Sequence, residues 1–185
     1  MGSRVVVLAS GAGTTLQAIL DSPIRDRIVA VGSDVPGCPA LGRADQAGIA
    51  CFAVDPSDYP LRSRWDEALL AQLQVLEPNW IVTAGFMRIL GAAIVQAYEC
   101  RIVNVHPSLL PAFPGAHAVR DALQAGVKVT GCTVHFVDQG IDTGPIIAQR
   151  AVEVLPGDDE ESLHGRIKIV ERDLLVGVLT ELVDR

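Results

Sequence analysis

Five short aliphatic runs alternate with stretches of helical spacing through the first half of the chain, and this alternation limits the fold more than any other feature. Residues 4–9, 28–33, 49–54, 80–84 and 101–105 are rich in Val and Ile and read as strands. Helical spacing follows from Leu16 to Leu20, over 40–47 (closed by Gly48), over 61–76 and over 89–97. The 61–76 helix places Trp65, Leu69, Leu73 and Leu76 on one face, and Pro78 ends it. Strands separated by helices imply a parallel sheet wound on both sides. A further helix spans 118–124. Residues 128–137 and 146–154 are strand-like, but the 138–145 loop between them leaves no room for a crossover helix, so they pair antiparallel. A last helix runs over 160–183. The expectation is an α/β fold: one domain over 1–185, Rossmann-like and doubly wound, with a mostly parallel sheet and an antiparallel C-terminal extension.

Length and composition narrow the function classes. A chain of 185 residues with 49% hydrophobic and 20% charged residues buries a full core and is not disordered. A net charge of −7 argues against a general nucleic-acid binder. It leaves a small anionic substrate open, because backbone N–H groups bind phosphate on acidic proteins too. No apolar stretch reaches the roughly 18 residues that would span a bilayer, and no secretory leader is visible; the expected location is cytoplasmic. Cys38, Cys51, Cys100 and Cys132 lack metal-ligand spacing and read as small, reduced core residues.

The segment Ile102-Val103-Asn104-Val105-His106-Pro107 carries the strongest chemical signal. Asn104 and His106 are two apart in a strand and share a face. A buried parallel strand is normally an unbroken apolar run, so an amide and an imidazole at its carboxyl end need partners or a task. Pro107, Pro111 and Pro114 then force the chain into a stiff, non-helical loop. An amide donor beside a titratable ring suits a site where charge develops on a carbonyl oxygen.

Three further segments are candidates. Ser10-Gly11-Ala12-Gly13-Thr14-Thr15 joins the first strand to the first helix, and its backbone N–H groups can face an anion. It lacks the lysine of a Walker loop, and Leu16 stands where a dinucleotide fingerprint needs glycine. Asp34 sits about where a ribose-binding acid would, and reads equally well as a turn former. The Asp138-Gln139-Gly140-Ile141-Asp142-Thr143-Gly144-Pro145 loop has turn composition, but Asp142 in it can orient an imidazole and favour its protonated form. Gly85-Phe86-Met87-Arg88-Ile89-Leu90 is either a packed loop or the wall of a pocket for a flat heterocycle. His117, His135 and His164 have no metal-site spacing, and no metal is expected.

Taken in chain order, these segments resemble the phosphoribosylglycinamide formyltransferase family of purine biosynthesis. The likeness is carried by residues 8–14 and 84–90, by Asn104-Val105-His106-Pro107-Ser108-Leu109-Leu110-Pro111-Ala112-Phe113-Pro114-Gly115, and by residues 135–147. It implies the formyltransferase fold. It also implies transfer of the formyl group of 10-formyltetrahydrofolate to the amine of glycinamide ribonucleotide. Asn104, His106 and Asp142 match the catalytic trio: an oxyanion stabilised by Asn104 and protonated His106, with Asp142 supporting the ring. Losing one such donor costs about 3–4 kcal/mol. Gly13, Thr14 and Thr15 match the substrate-phosphate loop, and Glu171 a substrate-contacting acid. Arg62, Met87, Arg88 (through its backbone and placement), Ile89, Leu90, Asn104, Asp138, Gln139, Gly140, Ile141 and Asp142 match the folate pocket. On this resemblance residues 1–100 form a nucleotide-phosphate half and 101–185 a catalytic and folate half. Thr15 stands where the family often has Asn, and Ala112 where a basic or polar residue is common.

Two other readings compete. A formyltetrahydrofolate deformylase shares the catalytic core but carries a leading regulatory domain, whereas this sequence opens on its first strand. A non-catalytic nucleotide-binding module predicts tight binding without turnover, and leaves Asn104, His106 and Asp142 unexplained. The expected partners are small molecules, without nucleic acid or membrane; a homodimer is expected only as the commonest default.

Overall fold

A computed structural model describes residues 2–184. Strand and helix alternate as β1 (Val5–Leu8), α1 (Thr14–Leu20), β2 (Ile28–Ser33), α2 (Pro39–Gln46), β3 (Cys51–Ala53), α3 (Arg62–Leu76), β4 (Trp80–Thr83), α4 (Ala92–Ala97), β5 (Ile102–His106), α5 (Ala118–Gln124), β6 (Val129–Phe136), β7 (Ile146–Glu153) and α6 (Glu160–Val183). Single 3-10 turns precede β2 and α3. The seven strands form one sheet in the order β3-β2-β1-β4-β5-β6-β7. The first five are mutually parallel; β6 runs antiparallel to β5, and β7 antiparallel to β6. The expected doubly wound sheet with an antiparallel extension is the fold observed.

Alternate residues of β1 face opposite layers, which is why the strand is apolar at every position. Val5 and Val7 point into a core closed by α1, α2, α5 and α6, with Leu16, Ile19, Leu163, Ile167 and Leu175 buried there. Val6 and Leu8 point into the other layer, filled by Trp65, Leu69 and Leu73 of α3 and by Ile94 and Val95 of α4. The stripe foreseen on α3 is thus its buried face, with Leu76 packed at its margin. The 24-residue α6 begins with a capping box, in which the Asp159 side chain accepts from the Ser162 N–H and Ser162 accepts from the Asp159 N–H.

Three expectations need correction. The helix foreseen over 89–97 begins at Ala92, with Gly91 as its cap in extended backbone, so residues 89 and 90 stay free to line a cleft. The third strand is only three residues long, as suits a sheet edge. Cys38 and Cys132 are buried as expected, but Cys51 and Cys100 are exposed. Cys51 lies on the edge strand β3, and Cys100 in the turn between α4 and β5 at a φ of 55°.

Strand order reverses between β1 and β4: β1 leads outward to β2 and β3, and β4 leads the other way to β5. Loops leaving the carboxyl ends of β1 and β4 therefore diverge and leave a crevice, the position where open α/β sheets bind ligands. The glycine loop follows β1 and the 85–90 segment follows β4, so both walls of that crevice were candidates on sequence grounds.

Candidate active site

A cleft of about 500 Å³ opens at this reversal. Its lining brings together Gly13, Thr14 and Thr15; Met87, Arg88, Ile89 and Leu90; Asn104 and His106; Asp138, Gly140, Ile141 and Asp142; and Glu171. Two expected residues are not in the lining. Gln139 is exposed on the loop beyond it. Arg62 stacks its guanidinium 4.8 Å over the Trp65 ring and donates to the Ile89 carbonyl and to Asp66, so it braces the wall from outside.

The glycine loop turns because Gly13 takes a φ of 69°, and a Cβ there would lie 2.7 Å from the Ala40 backbone. Behind the loop, the Gly11 carbonyl accepts from the Ala40 N–H at 3.0 Å and the Ala12 carbonyl from Arg43 Nε at 2.8 Å. Among the described residues no side chain caps the start of α1. With the carbonyls tied behind, the uncapped N–H groups of the first turn are left for an anion.

The reacting end is a polar row laid across three strands. Thr83 on β4 pairs in register with Asn104 on β5, and Asn104 with His135 on β6. The Thr83 hydroxyl donates to Asn104 Oδ1 at 2.7 Å. His135 Nδ1 lies 2.8 Å from the Phe136 carbonyl, which only accepts, so Nδ1 carries the proton and Nε2 of the neutral ring accepts from Asn104 Nδ2 at 3.1 Å. These contacts orient the amide and leave its second N–H without a protein partner among the described residues, at the cleft wall.

Asp142 reaches both imidazoles. Its Oδ2 is 3.3 Å from His106 Nδ1 and its Oδ1 is 3.5 Å from His135 Nε2. The Gly115 N–H also donates to Asp142, at 2.8 Å. Proximity to the His135 ring, which donates here when protonated, outweighs burial and holds the Asp142 carboxyl below the usual carboxylate range; the Gly115 N–H and the His106 charge act in the same direction. His106 is buried, and its Nε2 lies 2.8 Å from the Phe113 carbonyl. Both ring nitrogens thus face acceptors, a pattern that only the imidazolium satisfies fully. Asp142 and Phe113 have φ values of 54° and 55°, strained for non-glycine residues and a mark of functional loops. The Asp142 loop can return this close to β6 because a Cβ on Gly144 would meet the Phe136 carbonyl at 1.9 Å.

On α6, His164, Lys168 and Glu171 all line the cleft at helical spacing. Burial pushes the Glu171 carboxyl up to about 7, against the opposing pull of Lys168 and Arg172. Burial, and then the Lys168 charge, lower the His164 pKa. Thr83, His135, His164 and Lys168 were missed in the sequence. His135 was weighed only as a metal ligand, and its polar place in a strand paired with Asn104 was the signal available. Asp34 lies outside the cleft lining, and Ser10 and Arg88 each bond one of its two oxygens.

Residues 3–179 match the formyl transferase family. A phosphoribosylglycinamide formyltransferase from Mycobacterium tuberculosis is 52% identical over 183 residues, covering 97% of this chain and 85% of the relative. One from Escherichia coli is 40% identical over 185 residues, covering 98% and 87%. The crystal structure of glycinamide ribonucleotide transformylase 1 from Geobacillus kaustophilus superposes with a TM-score of 0.94 at 44% identity, covering 99% of this chain and 100% of that one. With likeness of this extent along its whole length, the chain belongs to the formyl transferase family, among its phosphoribosylglycinamide formyltransferases.

Proposed function

We propose that the cleft transfers the formyl group of 10-formyltetrahydrofolate to the amine of glycinamide ribonucleotide. The observation that carries this reading is the convergence of Asn104, His106 and Asp142 beside the open donors of the glycine loop. The phosphate sits on Gly13, Thr14 and Thr15 at the start of α1. The flat ring of the folate lies along Met87, Arg88, Ile89 and Leu90 and against the 138–142 loop. On this reading residues 1–100 supply the phosphate end and 101–185 the reacting groups, with the 87–90 segment crossing to the folate.

The amine lone pair attacks the formyl carbon, a new C–N bond forms, and the carbonyl electrons move onto oxygen. The free Asn104 N–H and the His106 imidazolium stabilise that oxyanion; the developing charge competes with the Phe113 carbonyl for the His106 Nε2 proton. Asp142 pairs with the His106 ring at Nδ1 and holds it in place. The bond to folate N10 then breaks, the carbonyl re-forms, and the proton lost by the attacking amine is delivered to N10, giving tetrahydrofolate and formylglycinamide ribonucleotide. Glu171, its carboxyl raised to about 7 by burial, faces the incoming amine and in its carboxylate form accepts a hydrogen bond from the amine N–H.

The test is to incubate the protein with 10-formyltetrahydrofolate, with and without glycinamide ribonucleotide, and follow tetrahydrofolate release. Release that requires the ribonucleotide, and that falls by roughly a hundredfold or more in His106→Ala and Asp142→Asn, is expected. Release that ignores the ribonucleotide makes the protein a hydrolase, and none at all makes it a binding module.

A further inference from the structure

Asp34 directly follows β2, is 5% exposed, and takes part in no step described above. An isolated buried carboxylate is costly, so its partners indicate what it is for. Its Oδ1 accepts the Ser10 hydroxyl at 2.5 Å and its Oδ2 accepts Arg88 Nε at 2.7 Å. Ser10 Oγ in turn accepts the backbone N–H of Met87 at 2.8 Å. One carboxylate therefore grips residue 88 directly and residue 87 through a hydroxyl. The Arg88 guanidinium also rests 5.9 Å from the centre of the buried Trp65 ring.

Phe86 before this segment stacks on Trp65 and Leu90 at its end is buried, so the two ends are anchored in the core. Between them Met87 and Ile89 are 80% and 62% exposed, so burial of their side chains does not set the path of the segment. Polar ties do: Asp34 and Ser10 on the β1 side, and Arg62 on the Ile89 carbonyl on the other. We infer that Asp34 is a positioning residue that sets the place of the 87–90 wall and hence affinity for the formylfolate, without touching either substrate. This rests on the function proposed above, which assigns that wall to the folate.

The isosteric Asp34→Asn variant keeps the volume and an acceptor for Ser10 but removes the charge that pairs with Arg88. Ser10→Ala cuts the Met87 tie alone and leaves the Asp34–Arg88 pair. Steady-state kinetics and thermal midpoints of both are compared with the parent. For Asp34→Asn the KM for 10-formyltetrahydrofolate rises by roughly tenfold, as loss of one charge-assisted bond implies, while kcat and the KM for glycinamide ribonucleotide stay within about twofold. Ser10→Ala shifts the same constant in the same direction by a smaller factor. A lowered midpoint with both KM values unmoved, or an equal rise in both, overturns the inference and makes Asp34 a stability residue only. Equilibrium titration with tetrahydrofolate needs no turnover. If the parent binds folate but does not transfer formyl, the function fails while Asp34 is still tested; equal folate binding by parent and variants rejects the positioning role.

Discussion

The Thr83 hydroxyl lies 2.7 Å from Asn104 Oδ1, and the two residues are register partners on adjacent parallel strands. With His135 on the other side, Asn104 is held by a donor to its oxygen and an acceptor from its nitrogen, so its amide cannot turn over without losing both. Thr83→Val removes the donor and leaves a partly buried oxygen unpaired, which costs about 1–3 kcal/mol. Turnover falls roughly tenfold or more with both KM values little changed, and Thr83→Ser restores it. Full activity in the valine variant refutes the orienting role.

His135→Phe removes the ring beside Asp142 that is the leading cause of its lowered pKa. A group with a depressed folded-state pKa contributes stability above its unfolded value and loses it as pH falls through the folded value. The parent thus keeps the Asp142 contribution below the ordinary carboxylate range, and the variant gives it up at higher pH. The acid limb of both the activity and the stability profile moves to higher pH, read by kcat and urea melts between pH 3 and 6. An unmoved acid limb removes His135 from the account.

Glu171 gives the opposite sign. Its folded-state pKa is raised to about 7 by burial, so the stability it lends is present in full below the unfolded value, about 4.3, and is lost as pH rises through 7. The loss is of the order of 3 kcal/mol. Glu171→Gln carries no such titration, so its stability relative to the parent improves between pH 5 and pH 8. Denaturant melts at the two pH values give this difference directly; parallel curves refute it.

The cysteines divide by environment. Cys51 and Cys100 are exposed, and Cys132 is buried with its thiol pushed up to about 11, first by burial and then by Glu171. A thiol reagent at pH 8 labels Cys51 and Cys100 in the native protein, and all four only after unfolding, as peptide mapping resolves. Native labelling of Cys38 or Cys132 at a comparable rate contradicts the packing described.

Most of the site's members were legible because their chemistry clashes with their surroundings. Asn104 and His106 interrupt an aliphatic strand, the glycine loop breaks a strand-to-helix junction, and Asp142 sits in a loop short enough to place it near both strands. Thr83 and Lys168 gave no such contrast: a threonine at a strand end and a lysine on a helix are ordinary in isolation. Asp34 was visible but ambiguous, since a carboxylate before Pro36-Gly37 suits a turn as well as a ligand.

By itself the sequence determined the layer architecture and the direction of most strands, because apolar period and connection length are local properties that burial on two faces demands. Tertiary structure decided which residues meet. The Thr83–Asn104–His135 row exists only once β5 lies between β4 and β6 in one register, and the Asp34–Arg88 pair only once β2 and the loop after β4 are folded over β1. Contacts separated by tens of residues depend on strand order and register, which no stretch of the chain encodes alone.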